Sequence, residues 1–85
     1  MEYIVVAFRS RAHTVKFYEI LRTYGSYAEI INTPKQAGVG CGLSVKIKKE
    51  QLIFIKDLVK KVALSSFAGF FLVKNQSGNT FVRSI

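Results

Sequence analysis

The chain opens with an apolar run and continues into a helical pattern. Residues 3–8 carry only aliphatic and aromatic side chains, which predicts a strand buried on both faces at the centre of a sheet. Residues 11–24 place apolar side chains three and four positions apart, which predicts an amphipathic helix. Ser10 is a suitable N-cap for this helix, and Gly25 is a suitable stop.

The pattern of strands and helices repeats in the second half of the chain. Residues 27–32 predict a second strand, and the glycine-rich residues 34–42 predict a connection without regular structure. In residues 43–48 apolar and polar positions alternate, which predicts a third strand with one wet face. Residues 50–63 carry one apolar stripe and predict a second helix, and residues 67–73 predict a fourth strand.

This order of elements predicts an α+β fold, a ferredoxin-like βαββαβ sandwich. We expect an antiparallel sheet in the order 4-1-3-2 with two helices on one face, because crossover connections are right-handed. Residues 75–79 predict a turn and residues 80–83 a short extra strand or tail. The prediction is therefore a single domain over residues 1–85, with a core at about 3–73 and a C-terminal hairpin or tail at 74–85.

Composition narrows the class of protein. With 85 residues, 49% of them hydrophobic, the chain can build a core, which excludes a mainly disordered state. Its single cysteine excludes a disulfide-stapled scaffold and a four-cysteine zinc site, and its single histidine excludes a multi-histidine metal site. The N-terminal apolar run is shorter than a signal peptide core, and no apolar run has the length of a membrane helix, so we expect a cytoplasmic protein without a bound metal or cofactor.

The charge balance points to anionic partners. Lys and Arg number 13 and Asp and Glu number 5, which gives a net charge of +8. Such a charge attracts nucleic acid, membrane surfaces and acidic proteins without choosing among them. A ribonucleoprotein-like stretch occurs only on the predicted fourth strand, and the third strand has no aromatic residue, which disfavours base stacking.

The predicted topology gathers several candidate residues at one end of the molecule. The first strand, the start of the first helix and the connection at 34–42 all meet there. This places the first set of supporting residues near the only cysteine: Arg9, Ser10, Arg11 and His13. Ser10 also fits a capping role, and His13 also fits a solvated surface position.

Cys41 lies in a glycine-rich frame. Glycines occupy positions 38, 40 and 42, and so many glycines favour close backbone approach or converging N–H groups over core packing. Residues 3–18 and 30–49 contain no acidic residue, so Arg9, Arg11 and Lys35 have no local neutralising partner. We expect the Cys41 thiol to ionise more readily than a free cysteine, because positive potential favours the thiolate.

The loop and its flanks form the proposed anion-stabilising set: Gly38, Gly40, Gly42 and Leu43. Backbone N–H groups of this set would stabilise a negatively charged sulfur. Lys35 also fits a plain surface charge, and the glycines also fit a tight bend beside a partly buried cysteine. A single reactive cysteine without a resolving partner suits holding a group better than internal redox cycling.

Two segments resemble a family of small bacterial proteins described as selenium/sulfur carrier-like. One is Phe8-Arg9-Ser10 followed by a helix with His13 and Leu21. The other is Pro34-Lys35 followed by Cys41-Gly42-Leu43, and the resemblance covers about residues 3–73. Tyr18 stands where the family often has an acidic residue, and the loop is richer in glycine than usual.

The resemblance implies a carrier that holds sulfur or selenium on Cys41 as a persulfide or perselenide. Its partners would be sulfur or selenium donor and acceptor proteins, and its role would be accessory more than enzymatic. Two other functions fit the residues: a nonspecific anion or nucleic-acid binding module, or a structural interaction domain. In the last case the open sheet face either pairs in a homodimer or is covered by residues 80–85.

Overall fold

The computed structural model describes residues 1–85 and has an α+β architecture: a five-stranded antiparallel sheet with two α-helices. No helix is both long and apolar enough to cross a bilayer. The regular elements, in chain order, are β1 (Glu2–Phe8), α1 (Arg11–Thr23), β2 (Glu29–Asn32), β3 (Leu43–Ile47), α2 (Leu52–Val62), β4 (Phe67–Gln76) and β5 (Asn79–Ser84).

The sheet has the order β2-β3-β1-β4-β5. Its first four strands therefore lie in the order expected from the sequence, and β5 is added outside β4. β1 is central and pairs antiparallel with β3 and with β4, as in the registers Ile4↔Ile47 and Val6↔Phe70. This arrangement uses the hydrogen-bonding groups along both edges of β1.

Both helices pack on the same face of the sheet. Ile4, Val6 and Phe8 of β1 point to that face and are at most 2% exposed. Because the side chains of a strand alternate between faces, these positions form one continuous row. The buried helix residues that cover this row are Phe17, Leu21, Ile55, Leu58 and Val59.

The opposite face of the sheet is covered by the chain itself. Val5, Ala7 and Val73 have no exposed surface, and they form a second apolar cluster with Phe71. Side chains of the connection between β2 and β3, with one from β5, pack against it: Ala37, Val39 and Val82. The open sheet face expected from the sequence is therefore wrong at its centre, because these side chains cover it. A homodimer through an open face is not supported, and the alternative cover by residues 80–85 is present only in part, as Val82.

The wet face expected for β3 is wrong at Ser44. Ser44 is fully buried, and its hydroxyl lies 2.6 Å from the Thr33 hydroxyl. The reason is tertiary, because the connection after β2 folds back over this side of the sheet. The connection itself contains one turn of 3₁₀ helix at Lys35–Ala37, where the sequence predicted no regular structure.

The C-terminal part is a longer hairpin than the sequence predicted. β4 continues to Gln76 instead of ending at residue 73, and it pairs with β5 from Phe71↔Ser84 to Gln76↔Asn79. The turn between them is Ser77-Gly78, and both residues have positive φ values, 52° and 80°. Two positive φ values match the primed turns that join twisted strands.

A left-handed residue ends α2 and gives the first testable prediction. Ala63 has φ 51° and ψ 45°, and its N–H donates to the Val59 carbonyl at 3.0 Å. Replacing Ala63 by Gly removes the strain on Cβ, worth about 1–2 kcal/mol, and adds a smaller entropy cost of about 0.5–1 kcal/mol. We expect Ala63→Gly to raise the free energy of unfolding in urea by about 0.5–1 kcal/mol.

The matched control is Ala12→Gly, since Ala12 is exposed in the first turn of α1. Glycine relieves no strain at a right-handed helical position, so we expect Ala12→Gly to lower the free energy of unfolding by up to about 1 kcal/mol. Equal destabilisation by both variants would contradict the role given to Ala63.

Candidate functional site

Ser10 starts α1 directly after the central strand. Its backbone is extended, with φ −97° and ψ 126°, and its hydroxyl accepts the His13 N–H at 3.2 Å. This is the N-cap that the sequence predicted, because a serine side chain can satisfy a free N–H of the first turn. β1 ends at Phe8, so the buried strand determines where the first turn of α1 lies.

Cys41 lies against that first turn. Its side chain is partly exposed, and its Sγ is 3.7 Å from Oγ1 of Thr14. The thiol also donates to the Leu43 carbonyl at 3.6 Å. The fully buried Thr14 uses its hydroxyl to donate to the Ser10 carbonyl at 3.1 Å. The structure therefore brings the cysteine and the start of α1 together.

The loop around Cys41 depends on glycine at one position above all. Gly40 has φ +99°, and a Cβ added there would lie 3.4 Å from the Phe8 carbonyl oxygen. Gly38 and Gly42 also have positive φ values, +67° and +94°. The loop thus runs close to the end of β1 in a conformation that side chains other than hydrogen disfavour.

The backbone of the loop has free donors. The N–H groups of residues 39–42 donate to no acceptor of the protein, whereas the Gly42 carbonyl accepts the Thr33 N–H at 2.9 Å. A shallow depression of about 240 Å³ lies over this segment. Its lining residues are Thr33, Pro34, Lys35, Gly38, Val39, Gly40 and Gly42. Cys41 is not among them, because its sulfur lies on the Thr14 side.

His13 pairs with Ser66 and makes no hydrogen bond to Cys41. Its Nδ1 lies 2.6 Å from the Ser66 hydroxyl, which also accepts the Ser10 N–H at 3.1 Å. The Arg9 N–H donates to the Ser66 carbonyl at 2.8 Å. Ser66 therefore joins the α2–β4 connection to the start of α1. We refer to these residues together as the Cys41 corner: Ser10, His13, Thr14, Cys41 and Ser66.

Sequence reasoning missed Thr14. It expected Ser65-Ser66 to lie at this end of the molecule, either as a turn or as donors of hydrogen bonds. Thr14 carried a signal, because it lies on the buried stripe of α1 at the spacing 14, 17, 21 with Phe17 and Leu21. A hydroxyl on an apolar stripe is expected to find a polar partner when buried. Ser66 carried no comparable signal, since its contacts depend on how the connection folds.

Basic side chains near the Cys41 corner are free of acidic partners. Arg9, Arg11 and Lys35 are exposed and form no salt bridge. The salt bridges of the protein lie elsewhere, and two of them shift the pKa values of the residues that form them. The hydrogen bond and charge of Lys49 lower the pKa of Glu2, and those of Asp57 raise the pKa of Lys61. No group of three or more His, Cys, Asp or Glu side chains is placed to hold a metal ion.

The Ser66 contacts give a second prediction. Ser66→Ala removes the partner of His13 Nδ1 and of the Ser10 N–H, so we expect a loss of about 1–3 kcal/mol in the free energy of unfolding. Ser65 is the matched control, because it is exposed and makes no hydrogen bond. Urea denaturation of the two alanine variants compares them, and equal losses would show that Ser66 does not join the two segments.

Comparison with known proteins finds one matching protein family. A protein-family model described as "Putative Se/S carrier protein-like" matches residues 2–66. No curated protein and no solved structure matches the chain. The match ends at Ser66, seven residues before the end of the resemblance expected from the sequence, and it contains every residue of the Cys41 corner. Because the match covers most of the chain, this protein belongs to the Se/S carrier-like family.

Proposed function

We propose that this protein carries sulfur or selenium as a persulfide or perselenide on Cys41. The observation that carries the proposal is the position of the sulfur, which is partly exposed and lies beside the Thr14 hydroxyl at the start of α1. Family membership supports a carrier role in general. The donor and acceptor are proteins that hold the transferred atom on a cysteine of their own.

Loading is a displacement without net oxidation. The Cys41 thiolate attacks the outer sulfur of a cysteine persulfide on the donor. The donor's S–S bond breaks, and the donor cysteine leaves as a thiolate that takes up a proton. Cys41 then holds the outer sulfur in a new S–S bond. Unloading is the same displacement by the acceptor's thiolate, and selenium follows the same path through an S–Se bond.

Thr14 can stabilise the charged sulfur at low cost. In the thiol state its hydroxyl donates to the Ser10 carbonyl, which also accepts the Thr14 N–H at 3.1 Å. When Cys41 ionises, the hydroxyl can turn to donate to Sγ, and the Ser10 carbonyl keeps its N–H partner. Hydrogen bonds to charged groups contribute about 1.5–3 kcal/mol, more than the neutral bond that is given up.

The surroundings of the corner fit the same role. Arg9, Arg11 and Lys35 would favour the anion and attract an acidic partner, and the free N–H groups at residues 39–42 would stabilise charge at the loop. We infer that residues 1–85 form one domain whose first four strands and two helices are a ferredoxin-like unit, extended by the β4–β5 hairpin. A free thiol of this kind persists in a reducing compartment, so we assign the carrier to the cytoplasm.

Mass spectrometry tests the proposal directly. After exposure to a low-molecular-weight persulfide, we expect an adduct of about 32 Da on Cys41, or of about 80 Da with the selenium analogue. The adduct should be released by a thiol acceptor and should be absent in Cys41→Ser. A Cys41 that takes up no adduct under these conditions would exclude the carrier function.

Thr14 variants test how the corner acts on the sulfur. We expect Thr14→Val to slow the uptake of sulfur by Cys41 at neutral pH, because the thiolate loses its hydroxyl donor. Thr14→Ser keeps the hydroxyl and should take up sulfur at a rate near that of the unmodified protein. If both variants slow the uptake equally, packing at position 14 matters and the hydroxyl does not.

A further inference from the structure

A groove lies on the helix side of the sheet, between α2 and β4. It encloses about 600 Å³, and its floor is apolar, with Leu64, Phe67 and Phe70 among the lining residues. Lys56 and Lys60 also line it, and no acidic side chain does. The groove exists because the two helices pack over the row of β1 side chains and leave the β4–β5 side of the sheet only partly covered.

The aromatic floor is already engaged within the protein. Phe67 packs edge-on against Phe8 and Phe70, with ring centroids 5.8 and 5.0 Å apart. The Lys56 Nζ lies 5.8 Å from the centroid of the Phe70 ring, which is only 8% exposed. The Phe70 ring, buried beside Lys56, therefore leaves little surface for a nucleobase to stack on. The edges of these rings and the neighbouring aliphatic groups instead suit aliphatic side chains of a peptide.

Positive charge continues along the same side of the sheet. On the β4–β5 hairpin, a second recess of about 130 Å³ is lined by Leu72 and Phe81 together with Lys74 and Arg83. Phe81 is 56% exposed. Asp57, the acidic residue nearest the groove in the chain, lies 3.0 Å from Lys61 and is therefore engaged. On this side of β4 and β5, apolar recesses therefore lie beside lysine and arginine side chains.

We propose that this groove docks an acidic amphipathic segment of a partner protein. Aliphatic side chains of the segment would fill the apolar floor, and its Asp and Glu side chains would pair with Lys56 and Lys60. The groove also adjoins the Cys41 corner. Ser65 lines it, the next residue holds His13, and Phe67 of the floor packs on Phe8 at the end of β1. That the segment belongs to the donor or acceptor rests on the proposed function, whereas groove binding does not.

Fluorescence anisotropy with a synthetic probe tests the groove. The probe is a labelled amphipathic peptide of Leu and Glu, and its comparison is the same peptide with Lys in place of Glu. We expect the acidic peptide to bind the full chain and Cys41→Ser equally. In the double variant Lys56→Gln/Lys60→Gln, binding should weaken by about fivefold or more, since two pairing charges are lost. Backbone amide shifts in NMR should map the contact to residues 56–70.

The matched control is Lys16→Gln/Arg22→Gln. It also removes two exposed helix cations, one of them in the last turn, as Lys60 is in α2. This variant should weaken peptide binding by less than twofold. Equal weakening in both double variants would show attraction to net charge alone and overturn the proposal. A single-stranded oligothymidine that binds more tightly and displaces the acidic peptide from the groove would overturn it as well.

The two proposals fail separately. Loss of peptide binding in Cys41→Ser would overturn the groove as the docking site. An absent persulfide adduct with intact groove binding would overturn the carrier chemistry and leave the groove in place.

Discussion

Removal of β1 from water on both faces of the sheet is the interaction on which the other features depend. Ile4–Phe8 are at most 2% exposed, and burial of each large apolar side chain is worth about 1.5–3 kcal/mol. One face of the strand requires the two helices, and the other requires the connection between β2 and β3. The connection that covers Val5 and Ala7 also carries Cys41. The packing that buries this face of β1 therefore also determines the position of the thiol.

Sequence signals that span a few residues were sufficient to predict most of the helices and strands. The unbroken apolar run of β1, the cap at Ser10 and the stop at Gly25 each act over a few residues, and the structure has the strand and the helix where they predict them. The errors arise where a distant segment decides. Ser44 is polar and was expected to be wet, but it is buried because the connection folds over it. β4 extends into polar residues such as Lys74 and Asn75 because β5 is there to pair with them.

For the candidate site, the sequence was enough to predict which segments meet but not which side chains make contact. Chain topology alone was enough to expect Cys41 beside the first turn of α1, since it specifies which strand ends and connections share an end of the sheet. It could not specify side-chain partners. Thr14 contacts the sulfur and His13 turns to Ser66, and both outcomes depend on rotamers and on the path of the α2–β4 connection. The periodicity of apolar residues specifies neither the rotamers nor the path of that connection.

The sheet order has a consequence for biosynthesis. β1 precedes all other elements in the chain, yet its full-length partner is β4, in the register from Glu2↔Lys74 to Phe8↔Phe67. Translation proceeds at about 5–20 residues per second, so one edge of β1, which is apolar from Tyr3 to Phe8, stays unpaired for several seconds before β4 leaves the ribosome. Contacts of such large sequence separation also slow folding itself. The strand that organises the finished domain is therefore the one whose apolar edge waits longest for its partner while the domain is being made.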